Sequence, residues 1–106
     1  PLVATCSRDR TVRFWQPTIG RLVRFVRLPA EPLDLSWAND GRRLFASCAD
    51  GNLVTLDPDT AEIVSTTQAL DSWAYALAVH PSEGTVLVGG RDGCLRKIES
   101  RVTTAK

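Results

Sequence analysis

The stretch Val3-Ala4-Thr5-Cys6-Ser7-Arg8-Asp9-Arg10-Thr11-Val12-Arg13-Phe14-Trp15-Gln16 sets two short runs rich in β-branched and aromatic residues around a polar turn. Those residue types fit a pleated, half-buried strand. An Asp in the turn accepts backbone N–H groups two residues on and pins the bend. The segment therefore predicts a β-hairpin. Its landmarks return twice along the chain. Asp9, Asp50 and Asp92 recur at a near-constant interval, each in a polar turn between apolar runs. Six positions after each comes a large apolar residue followed by a polar one: Trp15-Gln16, Leu56-Asp57 and Ile98-Glu99. Upstream of the second and third turns, Trp37 and Val79 keep the same interval, and each ends a strand-like run before a turn.

The segments between landmarks read as strands. Leu33, Leu35 and Trp37 alternate with Asp34 and Ser36, and Ala74 to Val79 behaves alike. Leu44 to Ala49 and Val86 to Gly89 are short apolar runs closed by Asp-Gly turns, a strong hairpin signal. Thr11–Trp15, Leu53–Leu56 and Leu95–Ile98 are the return strands. The turns at 17–20 and 57–60 lead to fourth strands at Arg21–Arg27 and Glu62–Gln68. Arg21, Arg24 and Arg27 recur every third residue, a period that also suits an amphipathic helix. The β-branched counterpart Glu62-Ile63-Val64-Ser65-Thr66-Thr67 decides for a strand. Each period thus holds four antiparallel strands in about 41 residues, the size of one blade of a radial β-sheet array.

The residues from Val3 to Gln16 resemble the second half of a WD repeat, whose common form is LASGSxDGTVRLWD. Leu44–Asp57 and Val86–Glu99 resemble it more loosely. The resemblance implies an all-β fold of β-propeller blades, four-stranded antiparallel sheets stacked radially in an incomplete ring. It divides residues 1–106 into a blade lacking its inner strand (1–27), a second blade (28–69) and a third (70–106). It also implies that Thr5, Asp9 and Trp15 belong to a hydrogen-bonded group tying the first blade together. In the later blades only Asp50 and Asp92 remain of that group, since Ala46, Leu56, Val88 and Ile98 hold the other places. The turn at 57–62 also resembles that of quinoprotein-type propellers. A ring of four or more such units needs roughly 160 residues or more. The chain has 106 and no Met, so the expectation is that further blades of a parent chain, or other copies, complete it. An unclosed array exposes a sheet face and strand edges, and the isolated chain is expected to self-associate.

Composition narrows function further. The net charge is +1 and 24% of residues are charged, which gives no global pull toward nucleic acid or membrane. No apolar run approaches the ~20 residues of a membrane span. The odd set Cys6, Cys48 and Cys94 has no CxxC spacing. It fits neither a disulfide framework nor a zinc site, and reads as buried free thiols of a reducing compartment such as the cytoplasm. His80 is the single histidine and lies in a turn, with no paired nucleophile. Asp57, Asp59 and Glu62 lack calcium-loop spacing. No cofactor or metal is implied, and the chain reads as non-enzymatic.

The resemblance leaves recognition at the loops of one face. Arg8, Arg10, Trp73, Tyr75 and Arg91 are the candidate partner-binding residues, with Asp71 and Ser72 beside them. Trp, Tyr and Arg are the types that dominate binding hot spots. Trp73 reads either as a contact residue or as packing beneath a loop, and the arginines either as readers of an acidic peptide or as solvated charges. The expected role is a protein-interaction scaffold for a protein or peptide partner. The alternative is a structural propeller domain of a larger multidomain enzyme or redox protein.

Overall fold

A computed structural model describes residues 2–99 and contains strands alone among its regular elements. They are β1 (Val3–Cys6), β2 (Thr11–Gln16), β3 (Arg21–Arg27), β4 (Pro32–Trp37), β5 (Leu44–Cys48), β6 (Asn52–Asp57), β7 (Glu62–Gln68), β8 (Ala76–Val79), β9 (Val86–Gly89) and β10 (Leu95–Ile98). Three antiparallel sheets form in chain order: β1-β2-β3, β4-β5-β6-β7 and β8-β9-β10. Among the described residues they do not close into a ring. The expected continuation of the third blade, over 100–106, lies outside the described residues. The arginine-rich segment 21–27 is a strand paired along β2, as its β-branched counterpart indicated.

The repeat extends to irregularities that a residue pattern does not display. A bulge falls between Phe14 and Trp15 in the first sheet, and one period later between Thr55 and Leu56 in the second. The extra residues are Val23 and Val64. Arg10, Gly51 and Gly93 hold equivalent turn positions, with φ of 72°, 86° and 82°. At Gly51 the requirement for glycine is twofold. An added Cβ would lie 2.1 Å from the Leu70 carbonyl oxygen, because the N–H groups of Ala69 and Leu70 both donate to the Gly51 carbonyl and draw that linker close. At Arg10 only Leu28 donates to the carbonyl, since the next residue is Pro29 and has no N–H to offer.

The core lies between sheets rather than within one. Val12, Phe14 and Leu28 from the first blade and its linker meet Leu44, Ala46, Cys48, Val54 and Leu56 from the second. On the other side of the second blade, Phe45 and Leu53 meet Ala74, Val86 and Val88 of the third. Successive residues of β5 point to opposite faces, so a strand covered on both faces is apolar almost throughout, and all of β5 is buried. Each fully buried Leu or Phe contributes about 1.5–3 kcal/mol, so these two seams hold the three sheets face to face.

Two expectations shift. β8 begins at Ala76 rather than Ala74, because the Ala74 N–H is taken by the Cys48 carbonyl of the preceding blade at 3.1 Å. That bond pins Trp73 and Ala74 as a linker. Of the three thiols, Cys48 is buried and Cys6 partly so, but Cys94 is exposed. Cys94 sits in the turn before β10, not in the covered part of the sheet.

Candidate functional site

Backbone hydrogen bonds gather the second-to-third-strand turns and the linkers between blades at one end of the array. Leu28 N–H donates to Arg10, Ala49 N–H to Glu31 (2.8 Å), Ala69 N–H to Gly51, Ala74 N–H to Cys48, and Arg91 N–H to Trp73 (3.1 Å). This end therefore carries all five candidate partner-binding residues. Arg8, Arg10 and Arg91 are exposed. Arg10 directs Nη1 toward the Pro29 carbonyl at 3.5 Å. Trp73 and Tyr75 are 41% and 49% exposed, and their rings stack at a 50° tilt with centroids 5.7 Å apart. Large aromatic rings left in water as a contacting pair are an unusual surface feature. Arg8 and Arg10 stand on the first blade while Trp73, Tyr75 and Arg91 stand on the third, so the set divides into two patches.

The turn residues separate as well. Thr5 and Trp15 come together across β1 and β2, the indole Nε1–H donating to Thr5 Oγ1 at 2.9 Å. Asp9 remains in its turn. It accepts the hydroxyl and the N–H of Thr11 (2.9 Å for the N–H) and pairs with Arg13 at 3.3 Å. The Thr11 hydroxyl foremost, then its N–H, lower the Asp9 carboxyl to about 2. Asp50 and Asp92 repeat the backbone part of the motif, accepting the N–H of Asn52 (3.1 Å) and Cys94 (3.0 Å). The Cys94 N–H holds the Asp92 carboxyl below the usual range.

One connection was not legible in the residue pattern. Asp34, on the inner strand β4, accepts the N–H of Leu35 through Oδ1 (2.9 Å). Through Oδ2 it accepts that of Leu77 on the inner strand β8 (3.0 Å), 43 residues away. A strand Asp between two leucines reads as an outward polar residue, and nothing local announces a bond to the next blade. A groove of about 430 Å³ lies on the same end, lined in part by Leu70, Asp71, Asp92, Leu95 and Arg96. A second, of about 380 Å³, lies at the opposite end between Leu2, Trp37 and Pro58.

The described residues offer little for nucleophilic chemistry. His80 lies at the opposite end, where its Nδ1 accepts the N–H of Ser82 (3.2 Å) and Glu83 (3.1 Å) and so organises its own turn. Burial pushes the Cys48 thiol up to about 12 and also raises Cys6, while the hydrogen bond to Asp92 raises Cys94. All three are thiols, not thiolates, at neutral pH. No group of three or more His, Cys, Asp or Glu residues able to hold a metal ion occurs among the described residues.

Comparison with known proteins agrees with this architecture. Residues 1–16 match the family model described as "WD domain, G-beta repeat". The chain is 32% identical over 93 residues to the pre-rRNA-processing protein IPI3 of Yarrowia lipolytica, covering 86% of this chain and 18% of that protein. It is 29% identical over 59 residues to the WD repeat-containing protein AAC3 of Dictyostelium discoideum, covering 56% of this chain and 12% of that one. The chain thus spans less than a fifth of the length of either relative. Among solved structures, the Cps50 (Swd1) β-propeller domain of Myceliophteria thermophila superposes with a TM-score of 0.82 at 18% identity, over 92% of this chain and 32% of that chain. Three stacked antiparallel sheets in a regular repeat, the intact first hairpin and these relatives together identify the chain as a member of the WD-repeat β-propeller family.

Proposed function

We propose that this chain is a non-catalytic propeller segment that acts as a protein-interaction scaffold, binding a protein or peptide through the end that carries Arg8, Arg10, Trp73, Tyr75 and Arg91. The blades run over 1–27, 28–69 and 70–106, and Thr5, Asp9, Trp15, Asp50 and Asp92 serve to fix the hairpins that present this surface. The observation that carries the reading is the Trp73–Tyr75 pair. The rings are half-exposed and stacked on each other, yet their linker is fixed by backbone bonds to two neighbouring turns. A rigid aromatic anchor loses little side-chain entropy on binding.

The test compares partner capture by the wild-type chain, by Trp73→Ser/Tyr75→Ser, and by Arg42→Glu at the opposite end, with folding checked by circular dichroism. The wild-type chain and Arg42→Glu should retain the same set of proteins, and the aromatic double variant should lose it. Retention of that set by a folded double variant rejects this surface as the binding site.

A further inference from the structure

We infer that the Trp73–Tyr75 pair receives a cationic side chain, an Arg or Lys of a partner peptide, rather than an acidic one. This rests on the proposed interaction surface and names the chemistry of its central subsite.

The inference comes from how charge is distributed over that end. On the first blade, the turn that holds Asp9, already paired with Arg13, also carries Arg8 and Arg10, and Arg27 lies opposite Thr11 on β3. From the 28–31 linker round to the third blade the balance reverses: five carboxylates (Glu31, Asp34, Asp50, Asp71 and Asp92) stand against Arg91 and Arg96. Three of the five are joined, by hydrogen bonds or by chain position, to the segment that carries the aromatic pair. Asp34 bonds Leu77, two positions beyond Tyr75. Glu31 and Ala74 are both bonded to the Cys48–Ala49 turn, which brings Glu31 beside the linker that carries Trp73. Asp71 stands two positions before Trp73.

These groups are also poised differently. Asp34 is spent on two backbone N–H groups. The side chains of Glu31 and Asp71 carry no hydrogen bond or salt bridge among the described residues, nor do the Trp73 indole N–H and the Tyr75 hydroxyl. Two tilted ring faces attract a cation through their quadrupoles, and unpaired carboxylates at the rim complete its coordination by charge-assisted hydrogen bonds. A carboxylate in the same place would meet both the ring faces and the rim charges with the wrong sign. Arg91 lies on this rim, its backbone joined to Trp73. Its single positive charge offsets one of the five carboxylates.

The test titrates the chain with N-acetyl-arginine amide, N-acetyl-lysine amide, N-acetyl-glutamine amide and N-acetyl-glutamate amide. The readout is the Trp73 indole N–H resonance, assigned through Trp73→Phe and compared with those of Trp15 and Trp37. The Arg and Lys probes should shift the Trp73 signal saturably at millimolar concentration, and the Gln and Glu probes should not. Glu31→Gln/Asp71→Asn should weaken the Arg probe several-fold, and Arg91→Glu should strengthen it. Preference for the Glu probe, equal response to the Arg and Gln probes, or no change in the charge variants overturns the inference. If the aromatic double variant loses captured partners while Glu31→Gln/Asp71→Asn keeps them, the scaffold reading stands and the cation reading falls. If neither variant loses them, both fall.

Discussion

The first and second blades occupy the same register one repeat apart, yet they hold together by different means. The first keeps the Thr5–Trp15 hydrogen bond and the tightly bonded Asp9 turn. The second has Ala46 and Leu56 at the places of Thr5 and Trp15, and both are fully buried. What separates them is coverage. The face of the first blade that bears Thr5, Arg13, Trp15 and Phe25 has no neighbour among the described residues, and Phe25 is 51% exposed with the Arg13 guanidinium 5.4 Å over its ring. The equivalent face of the second blade is closed by Val12, Phe14 and Leu28. Under a covering sheet, an apolar pair replaces a polar pair without leaving a buried donor or acceptor unsatisfied. Loss of the repeat's signature residues is therefore compatible with a well-packed blade, provided that a neighbour supplies the contact.

The turn glycines give the sharpest way to break the comparison. Gly51→Ala should destabilise the chain by about 4 kcal/mol or more, because the left-handed φ and the collision with the Leu70 carbonyl add together. Gly93→Ala, with similar φ and open space around it, should cost only about 1–2 kcal/mol. Thermal or denaturant unfolding measures both, and equal losses would remove linker approach as the deciding factor. A smaller effect separates the two polar turns. Asp9→Asn should lower the Tm at pH 7, while Asp50→Asn, whose carboxylate is bonded only within its own turn to Asn52, should lower it less. The Asp9 carboxyl is depressed in the folded chain from an ordinary 3.8 to about 2. Its contribution is therefore complete above pH ~4 and vanishes as pH falls toward 2. The Tm gap between wild type and Asp9→Asn should close over that window, and a gap independent of pH would show that the charge is not what matters. The smallest change is expected from Arg10→Gly. Relief of the left-handed arginine (about 1–2 kcal/mol) and the greater chain entropy of glycine when unfolded nearly cancel, leaving a shift within about 1 kcal/mol of zero.

Much of the fold was legible because a blade is a local object. Its strands are joined by short turns, and residues such as Asp9, Asp50 and Asp92 act on neighbours two positions away. The two misjudged details have different causes. Ala74 was expected to begin a strand and Cys94 to be covered, yet a bond from the preceding blade fixes the first, and the second sits in the exposed turn before β10. The candidate surface was half legible. Trp73 and Tyr75 stood out by residue type, whereas Glu31 and Asp34 gained their place only through contacts with distant segments of the chain.

The sequence by itself determined the repeat, its period, the strand class of each segment and the turn chemistry, since all of these depend on residue types at fixed short spacing. The tertiary structure alone decided which faces are covered, which linker crowds Gly51, and that Trp73 and Tyr75 stay exposed in contact with each other. Those outcomes depend on how one sheet stacks on the next, and the stacking is set by side chains from successive blades that no local pattern pairs.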